Sequence, residues 1–511
     1  MATDPPTTPA GGDPQLGCRI AHIPVELLVQ ITRYISTDDL SNVRLTCKVV
    51  ENRLFSFFSH EFFRKKQFMV YMNSLQTLID IAKHKNLGPC LKHVIISTDR
   101  LMQANFGPTV TADRLHVLRI AEAGHFHLTS SGLLCDMLAE AFRNLPNLET
   151  VDIRDFSARS RTRDGRHASW TSYGSTTLVR ETGFHITQGP RNQWPDQYPS
   201  KIFAAVLAAL AAANARPPNI ESVLRSRNWA VEDAAFFIPP HIESPVANVL
   251  QGLQKLHLCL YPVNQSTMNT NILDPGVFIK TFLSMTPNLN WLRLNFIHLS
   301  GPATAPPLLE WLARPADQGA TGAAPSTDSD TSPIELKHLE QLDLGCVLLT
   351  PKLLIKLLAK FSPREVNLRR VNLKDEEHSL SDKVNVWEKV FAKLAGMPGI
   401  SIKTIHLYHL TMTDKDGFNC RVRFAGQPHR RGVAADEQGM DVTYSDSSMA
   451  KHLELARKQI EVLWPVVPQG TATSSDSSSD SEQDEDDDEG DDEDGEEAEG
   501  GDGQSDEEMT T

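Results

Sequence analysis

The chain has 511 residues, with 50 Lys and Arg against 65 Asp and Glu and seven cysteines. That length accommodates a small module beside one large domain or repeat array, and the cysteines, odd in number and without a CxxC pair, exclude a disulfide framework and a cysteine zinc site. The formal charge of -15 belongs to the C-terminus: residues 471–511 hold 20 acidic residues and no Lys or Arg, which leaves 45 acidic and 50 basic residues, a net +5, in the remainder.

Taken in chain order, the leader at residues 1–19, beginning "MATDPPTTPAGGDPQLG", has neither a basic start nor an apolar core. It reads as disordered and not as a secretory signal, so the expected residence is intracellular, in cytoplasm or nucleus. The stretch "IPVELLVQITRYISTDDLSNVRLTCKVVENRLF" follows from Ile23. Pro24 suits a first helical position, and Leu27, Leu28, Ile31, Tyr34 and Ile35 fall on one helical face. Ser36 or Thr37 can cap a second helix with Asp38 and Asp39 in its first turn. Leu40, Val43, Cys47, Val50 and Leu54 then recur at steps of three and four, while Leu45 and Val49 are apolar off that stripe. Segments below about 40 residues rarely bury enough surface to fold alone, so this apolar excess needs cover from the rest of the chain or from a partner.

"IPVELLVQITRYISTDDLSNVRLTCKVV" resembles an F-box, a helical module that in its family docks a small adaptor subunit of cullin-RING ubiquitin ligases. Where the commonest pattern continues with a basic residue and Trp, this chain has "KVVENRLFSFF"; the following "HEFFRKKQF" and "LGPCLKHVIIST" resemble the run behind the box in fungal members. The resemblance implies that Ile23, Pro24, Leu27, Leu28, Ile31, Leu40, Leu45 and Cys47 lie at or beside an adaptor-facing surface, and that cullin is reached through the adaptor.

Behind the box, assigned to residues 20–66, an amphipathic helix followed by a short strand of form LxxLxL recurs. Leu91-Val94-Ile96, Leu148-Val151-Ile153, Leu253-Leu256-Leu258, Leu289-Leu292-Leu294, Leu339-Leu342-Leu344, Leu368-Val371-Leu373 and Ile402-Ile405-Leu407 fit, with Ile220-Val223 a partial match. Apolar helix faces precede several of them, among them Leu75/Leu78/Ile79/Ala82, Leu133/Leu134/Met137/Leu138, Ile202/Phe203/Val206/Leu207/Leu210, Leu353/Leu354/Leu357/Leu358/Phe361 and Trp387/Val390/Phe391/Leu394. One such unit cannot cover its own apolar side, whereas stacked units bury a continuous core. The spacings of 29 to 72 residues mostly exceed those of regular repeats, so residues 67–465 resemble the irregular leucine-rich-repeat-like solenoids found behind many F-boxes, with insertions near 157–200, 313–334 and 411–449. The first insertion carries Arg159, Arg161, Arg163 and Arg166, a solvated or partner-contacting loop by composition. "MAKHLELARKQIEVLW" reads as one closing helix ended by Pro465. The expected fold class is therefore α/β: an N-terminal helical F-box, an α/β solenoid, and an acidic tail at 466–511 too charged and too poor in apolar anchors to order.

The longest apolar run, Ile202 to Ala213, has 12 residues and is short of a membrane span of ~20. No GxSxG, GxxxxGK[ST], HExxH or GxGxxG motif is present. The reading is a non-enzyme without cofactor or metal, with no nucleic-acid or membrane partner: the adaptor-binding, target-recruiting subunit of an SCF-type ubiquitin ligase. A repeat scaffold whose acidic tail engages basic partners, outside ubiquitination, is the alternative. Because strand side chains alternate, the residues flanking the inward positions should form the target face. The candidates taken from it are Asp152, Arg154, Trp291, Arg293, Asn295, Arg370, Asn372, His406 and Tyr408.

Overall fold

A computed structural model describes residues 19–101, 111–157, 162–164, 171–183, 186–187, 197–226, 229–261, 276–297, 306–315, 333–397, 399, 401–427, 438–445 and 449–465. The chain divides into a unit ending at Trp464 and another beginning at Pro465. The leader before Arg19 and the acidic tail lie outside the described residues, and every described helix and strand belongs to the first unit.

Three helices open it: α1 (Val25–Thr32), α2 (Thr37–Leu45) and α3 (Lys48–Phe63). Pro24 stands just before α1, and the Ser36 hydroxyl caps α2 by accepting the Asp39 amide at 3.1 Å. The stripe from Leu40 to Leu54 reads as one helix but is two, because Cys47 is extended (φ -162°, ψ 155°) and starts α3 afresh. Leu28, Leu40, Val50, Leu54 and Phe62 form a core of their own between the three helices, with the Phe58 and Phe62 rings stacked at 4.8 Å.

Helix and strand then alternate: β1 (Lys65–Met69), α4 (Met72–Lys83), β2 (His93–Ser97), β3 (Arg100–Leu101), α5 (Ala112–Ser130), α6 (Leu133–Arg143), β4 (Thr150–Arg154), α7 (Ser175–Thr182), β5 (Ile186–Thr187), α8 (Tyr198–Ala213), β6 (Asn219–Val223), α9 (Glu243–Leu250) and β7 (Lys255–Leu260). The second half comprises α10 (Val277–Ser284), β8 (Trp291–Phe296), α11 (Pro307–Ala313), β9 (Gln341–Gly345), β10 (Leu348–Leu349), α12 (Pro351–Phe361), β11 (Glu365–Arg369), β12 (Asn372–Lys374), α13 (Val386–Ala395), β13 (Thr404–Tyr408), β14 (Thr411–Thr413), β15 (Asn419–Phe424), β16 (Asp441–Ser445), α14 (Met449–Gln459) and β17 (Ile460–Leu463).

Ten strands form one sheet in the order β1-β2-β4-β6-β7-β8-β9-β11-β13-β16, every neighbouring pair parallel except β13 with β16. Parallel neighbours need a crossover, which the intervening helices supply. The repeat register is strict: Leu256 faces Leu292, Leu292 faces Leu342, Leu342 faces Val366, and Val366 faces Ile405. These residues and the apolar faces of α4, α6, α8, α12 and α13 share one continuous core. The result is a mixed α/β fold with a long parallel sheet of the leucine-rich-repeat-like kind.

A second sheet, β10-β12-β14-β15-β17, runs beside the last repeats. Between the sheets the chain turns at Cys346, Arg370 and His409, all left-handed with φ of 51°, 51° and 48°. Such a conformation strains a residue bearing a Cβ. Each is held by its own amide, which donates to the end of the next repeat: Cys346 to the Arg369 carbonyl at 2.9 Å, Arg370 to that of Tyr408 at 2.7 Å, and His409 to that of Met440 at 3.1 Å.

Three sequence expectations change here. The sheet strand of the sixth repeat is β11, with Val366 and Leu368 inward, so Leu368-Val371-Leu373 straddles a strand end, the left-handed turn and β12. Residues 411–449, read as an insertion, contain β14, β15 and β16. The closing helix stops at Gln459, and Ile460–Leu463 pairs antiparallel with β15.

Candidate functional site

Two surfaces gather the candidate residues. On the helical module, Leu27, Ile31 and Tyr34 are 50%, 49% and 90% exposed although the module has an apolar core of its own. They line a shallow groove with His22, Ile23, Pro24 and Gln30. Val25 and Ile20 add exposed apolar surface, as do Leu45, at 80% exposure, and Val49. Leu28 and Leu40 are placed differently: both are buried among the three helices, so their side chains hold the module together and present nothing outward. Cys47 is half-buried against the same core. Tyr34, not among the residues singled out by the resemblance, is the most exposed of the three; the signal for it was its place on the apolar face expected for the first helix, although α1 ends at Thr32 and Tyr34 lies in the turn that follows.

The second surface is the sheet face opposite the helices. Its open part runs from β8 to β13; exposure alternates along β8, β11 and β13, whereas in β9 all but Gln341 are buried. The organising group is the Asp343 carboxylate, which is 2% exposed. Its Oδ2 accepts Trp291 Nε1–H at 2.9 Å and Arg293 Nε–H at 2.8 Å, and its Oδ1 accepts the side-chain amides of Asn367 at 2.9 Å and Gln341 at 3.1 Å. Lys255 Nζ sits 3.9 Å above the Trp291 ring and also pairs with Glu221 at 3.1 Å, while the His257 ring meets Trp291 edge-on at 4.7 Å. Trp291 is thus half-buried and fixed by its own neighbours on the face. Asn295 lies over Gly345 of the next strand, where a Cβ would stand 2.1 Å from Asn295 Oδ1. Further on, His406 Nδ1 lies 2.9 Å from Thr443 Oγ1, and the Arg369 guanidinium 4.9 Å from the centre of the Tyr408 ring.

Asp152 and Arg154 are buried, and unavailable to a partner as the chain stands. Their side chains pair with each other, and His93 Nε2 lies 3.5 Å from the same carboxylate. Burial pushes the Asp152 carboxyl up, but the Arg154 charge and the His93 contact outweigh it and hold the group below its ordinary range. Burial also drives His93 and His257 down, the latter reinforced by Arg293 and Lys255. This end of the sheet is covered by the segments after its strands: the Asp155 carboxylate, itself raised by burial, accepts the amides of Arg225 at 2.8 Å and Ser226 at 2.7 Å, and the Arg225 guanidinium stacks 3.8 Å over Phe156.

Arg370 and Asn372 leave the face as well. Arg370 occupies the left-handed turn, and Asn372 lies in β12, exchanging side-chain hydrogen bonds with Thr413 at 2.9 and 3.1 Å. The structure therefore brings Trp291, Arg293, Asn295, His406 and Tyr408 onto one sheet face with Asp343, Gln341 and Asn367 between them. Among the described residues no three His, Cys, Asp or Glu side chains are placed to hold a metal ion, and no helix is long and apolar enough to cross a membrane.

No family model and no curated protein matches the chain. Among solved structures, the leucine-rich repeat-containing protein LegL7 from Legionella pneumophila is similar over 69% of this chain and 92% of its own, at 13% identity and a TM-score of 0.22. A complex of Rad7 and Elc1 from yeast is similar over 73% of this chain and 83% of that chain, at 12% identity and a TM-score of 0.23. Both likenesses are distant, and the fold rests on the strand order and register of the chain itself.

Proposed function

We propose that the chain is the non-catalytic, target-recruiting subunit of an SCF-type cullin-RING ubiquitin ligase. The helical module docks the adaptor through Ile23, Pro24, Leu27, Ile31 and Tyr34, and the open sheet face around Trp291, Arg293 and Tyr408 holds a target protein. Holding both in one chain raises the effective concentration of target lysines at the ubiquitin-carrying enzyme, which accelerates transfer without any reacting group here. The observation that carries this reading is the pair Leu27 and Ile31, half-exposed on a module that has filled its own core. An apolar face left over after folding, on a sequence that resembles an F-box, is what a docking module requires.

Full burial of a Leu or Ile side chain is worth about 1.5–3 kcal/mol, so the half still exposed on Leu27 and Ile31 contributes roughly 1 kcal/mol each on docking, and Tyr34 a comparable amount. Titration calorimetry of the whole chain against the adaptor of SCF-type ligases tests this. Replacing Leu27, Ile31 and Tyr34 by Ser should weaken binding about 100-fold while leaving the melting temperature unchanged. A wild-type chain that binds no adaptor, or a triple variant that binds like wild type, refutes the reading.

A further inference from the structure

The arginine-bearing loop after Phe156 has two described residues that reach back to the helical module, more than a hundred positions earlier. Arg163 is almost fully buried, its side chain 5% exposed. Its guanidinium forks onto the Glu61 carboxylate of α3, with Nε at 3.0 Å and Nη2 at 2.8 Å, and Nη1 donates to the Thr32 carbonyl and, at 3.0 Å, to the Ile35 carbonyl. Those two carbonyls flank Tyr34, so one guanidinium grips the backbone on both sides of a groove residue that is 90% exposed. The adjacent Asp164 accepts the Thr37 amide at 3.0 Å and the Thr37 hydroxyl at 2.6 Å, which satisfies a free N–H in the first turn of α2. Arg159, Arg161 and Arg166 lie outside the described residues.

The module is attached to the repeats again less than one helical turn beyond Glu61, at the end of α3. α3 runs into β1 with only Arg64 between them, and the Arg64 carbonyl accepts the Lys92 and His93 amides at 2.9 Å each. α3 is thereby joined directly to the sheet, whereas the corner between α1 and α2 has only the module's small core behind it. Arg163 ties that corner to α3, and Asp164 ties it to the repeat domain.

Resting on the docking role above, we propose that Arg163 and Asp164 complete the helical module from outside it, as positioning residues that hold the α1–α2 corner and set Tyr34 and the groove for the adaptor. The module is then not a self-contained unit of residues 20–66, and adaptor affinity depends on two residues that are not among those lining the groove. When a competent conformation is only partly populated, apparent affinity falls in proportion to its population.

Hydrogen exchange of the full-length chain reads the corner directly, in peptides spanning residues 31–45, alongside calorimetry with the SCF adaptor. Arg163→Ala and Asp164→Ala are each expected to raise exchange at the corner at least tenfold and to weaken adaptor binding tenfold or more. Exchange in the strands and the main melting transition should stay as in wild type. Asp164→Asn, which keeps an acceptor for the Thr37 amide, should restore near-wild-type exchange and affinity. Where Arg163→Ala does not fold, Asp164→Ala and Arg163→Lys, which keeps the charge but loses the fork, carry the same comparison. Unchanged exchange in the Ala variants overturns the proposal, and so does raised exchange with undiminished affinity. A wild-type chain that binds no adaptor overturns the docking role alone; the exchange data then decide whether the two residues hold the corner.

Discussion

Replacing Asp343 by Ala removes an acceptor that four side chains from three strands share. Hydrogen bonds to a charged partner contribute about 1.5–3 kcal/mol each, against about 0.5–1.5 kcal/mol for neutral ones. The four are not additive, because they converge on two oxygens and the donors are half-exposed, so water replaces part of what is lost; Arg293 keeps 35% of its side chain in solvent. A loss of roughly 2–4 kcal/mol follows, within the range for breaking a buried network. Asp343→Asn separates charge from shape. Its oxygen can stay on Trp291 and Arg293, while its NH2 meets the Gln341 and Asn367 amides, which can turn to offer oxygen, so the cost falls to about half. Urea unfolding read by far-ultraviolet circular dichroism measures both variants, and capture of a target identified by proximity labelling reports on the face, since Trp291 and Arg293 lose their anchor together. An Asp343→Ala variant within 0.5 kcal/mol of wild type, the range of ordinary surface changes, would refute the view that this carboxylate organises the face.

Adjacent leucines should separate folding from docking: Leu28→Ala should cost about 2–5 kcal/mol of stability, and Leu27→Ala under about 0.5 kcal/mol, as measured by thermal melts. Gly345→Ala places a methyl where Asn295 Oδ1 now lies, so the melting temperature should drop, and adding Asn295→Ala should recover most of the loss. Burial, with Arg370, Arg369 and Arg421 nearby, pushes His409 down to about 4. Between that value and about 6.5 the folded chain binds fewer protons than the unfolded one, so stability rises with pH across this window and falls on acidification, by up to about 1.4 kcal/mol per pH unit for each such histidine. His257 and His93, shifted the same way by burial, steepen the fall. Melting curves from pH 7 to 5 should show it, and His409→Gln should flatten it.

The repeat architecture was legible because a strand packed on one face and a helix packed on one stripe leave different periods in the sequence. The apolar faces of α4, α6, α8, α12 and α13 and the inward pairs of β2, β4, β7, β8, β9 and β13 stand where those periods put them. The misplaced repeat has a definite cause. Pro363 holds the first apolar position, so the pattern fails there and reappears by chance five residues later at Leu368. That slip carried Arg370 and Asn372 onto the wrong sheet. In the module, Leu27 and Leu28 are neighbours on one apolar stripe, and periodicity cannot say which of two adjacent positions faces a core of only three helices. Asp152 and Arg154 alternate along β4 with the core residues Val151 and Ile153, yet the whole strand is buried, because strand alternation carries no information about segments that cover a face. The clasp of Arg163 and Asp164 spans sequence distances at which no local pattern reports, and β1, "KKQFM", has no leucine motif to announce it.

The reversal of direction at the C-terminal end has a consequence for building on this scaffold. A parallel strand offers its free edge in the same slanted, evenly spaced hydrogen-bond pattern that it received, so each repeat is a template for another. β16 is antiparallel to β13, and β15 and β17 close the second sheet in the same manner. Beyond β16 the template no longer matches the repeat, and an engineered unit appended there meets the wrong register. Lengthening the array therefore requires splicing whole helix-strand units between β9 and β13, where the incoming strand inherits Leu342 and Leu344 on one side and passes the same pairing to the next.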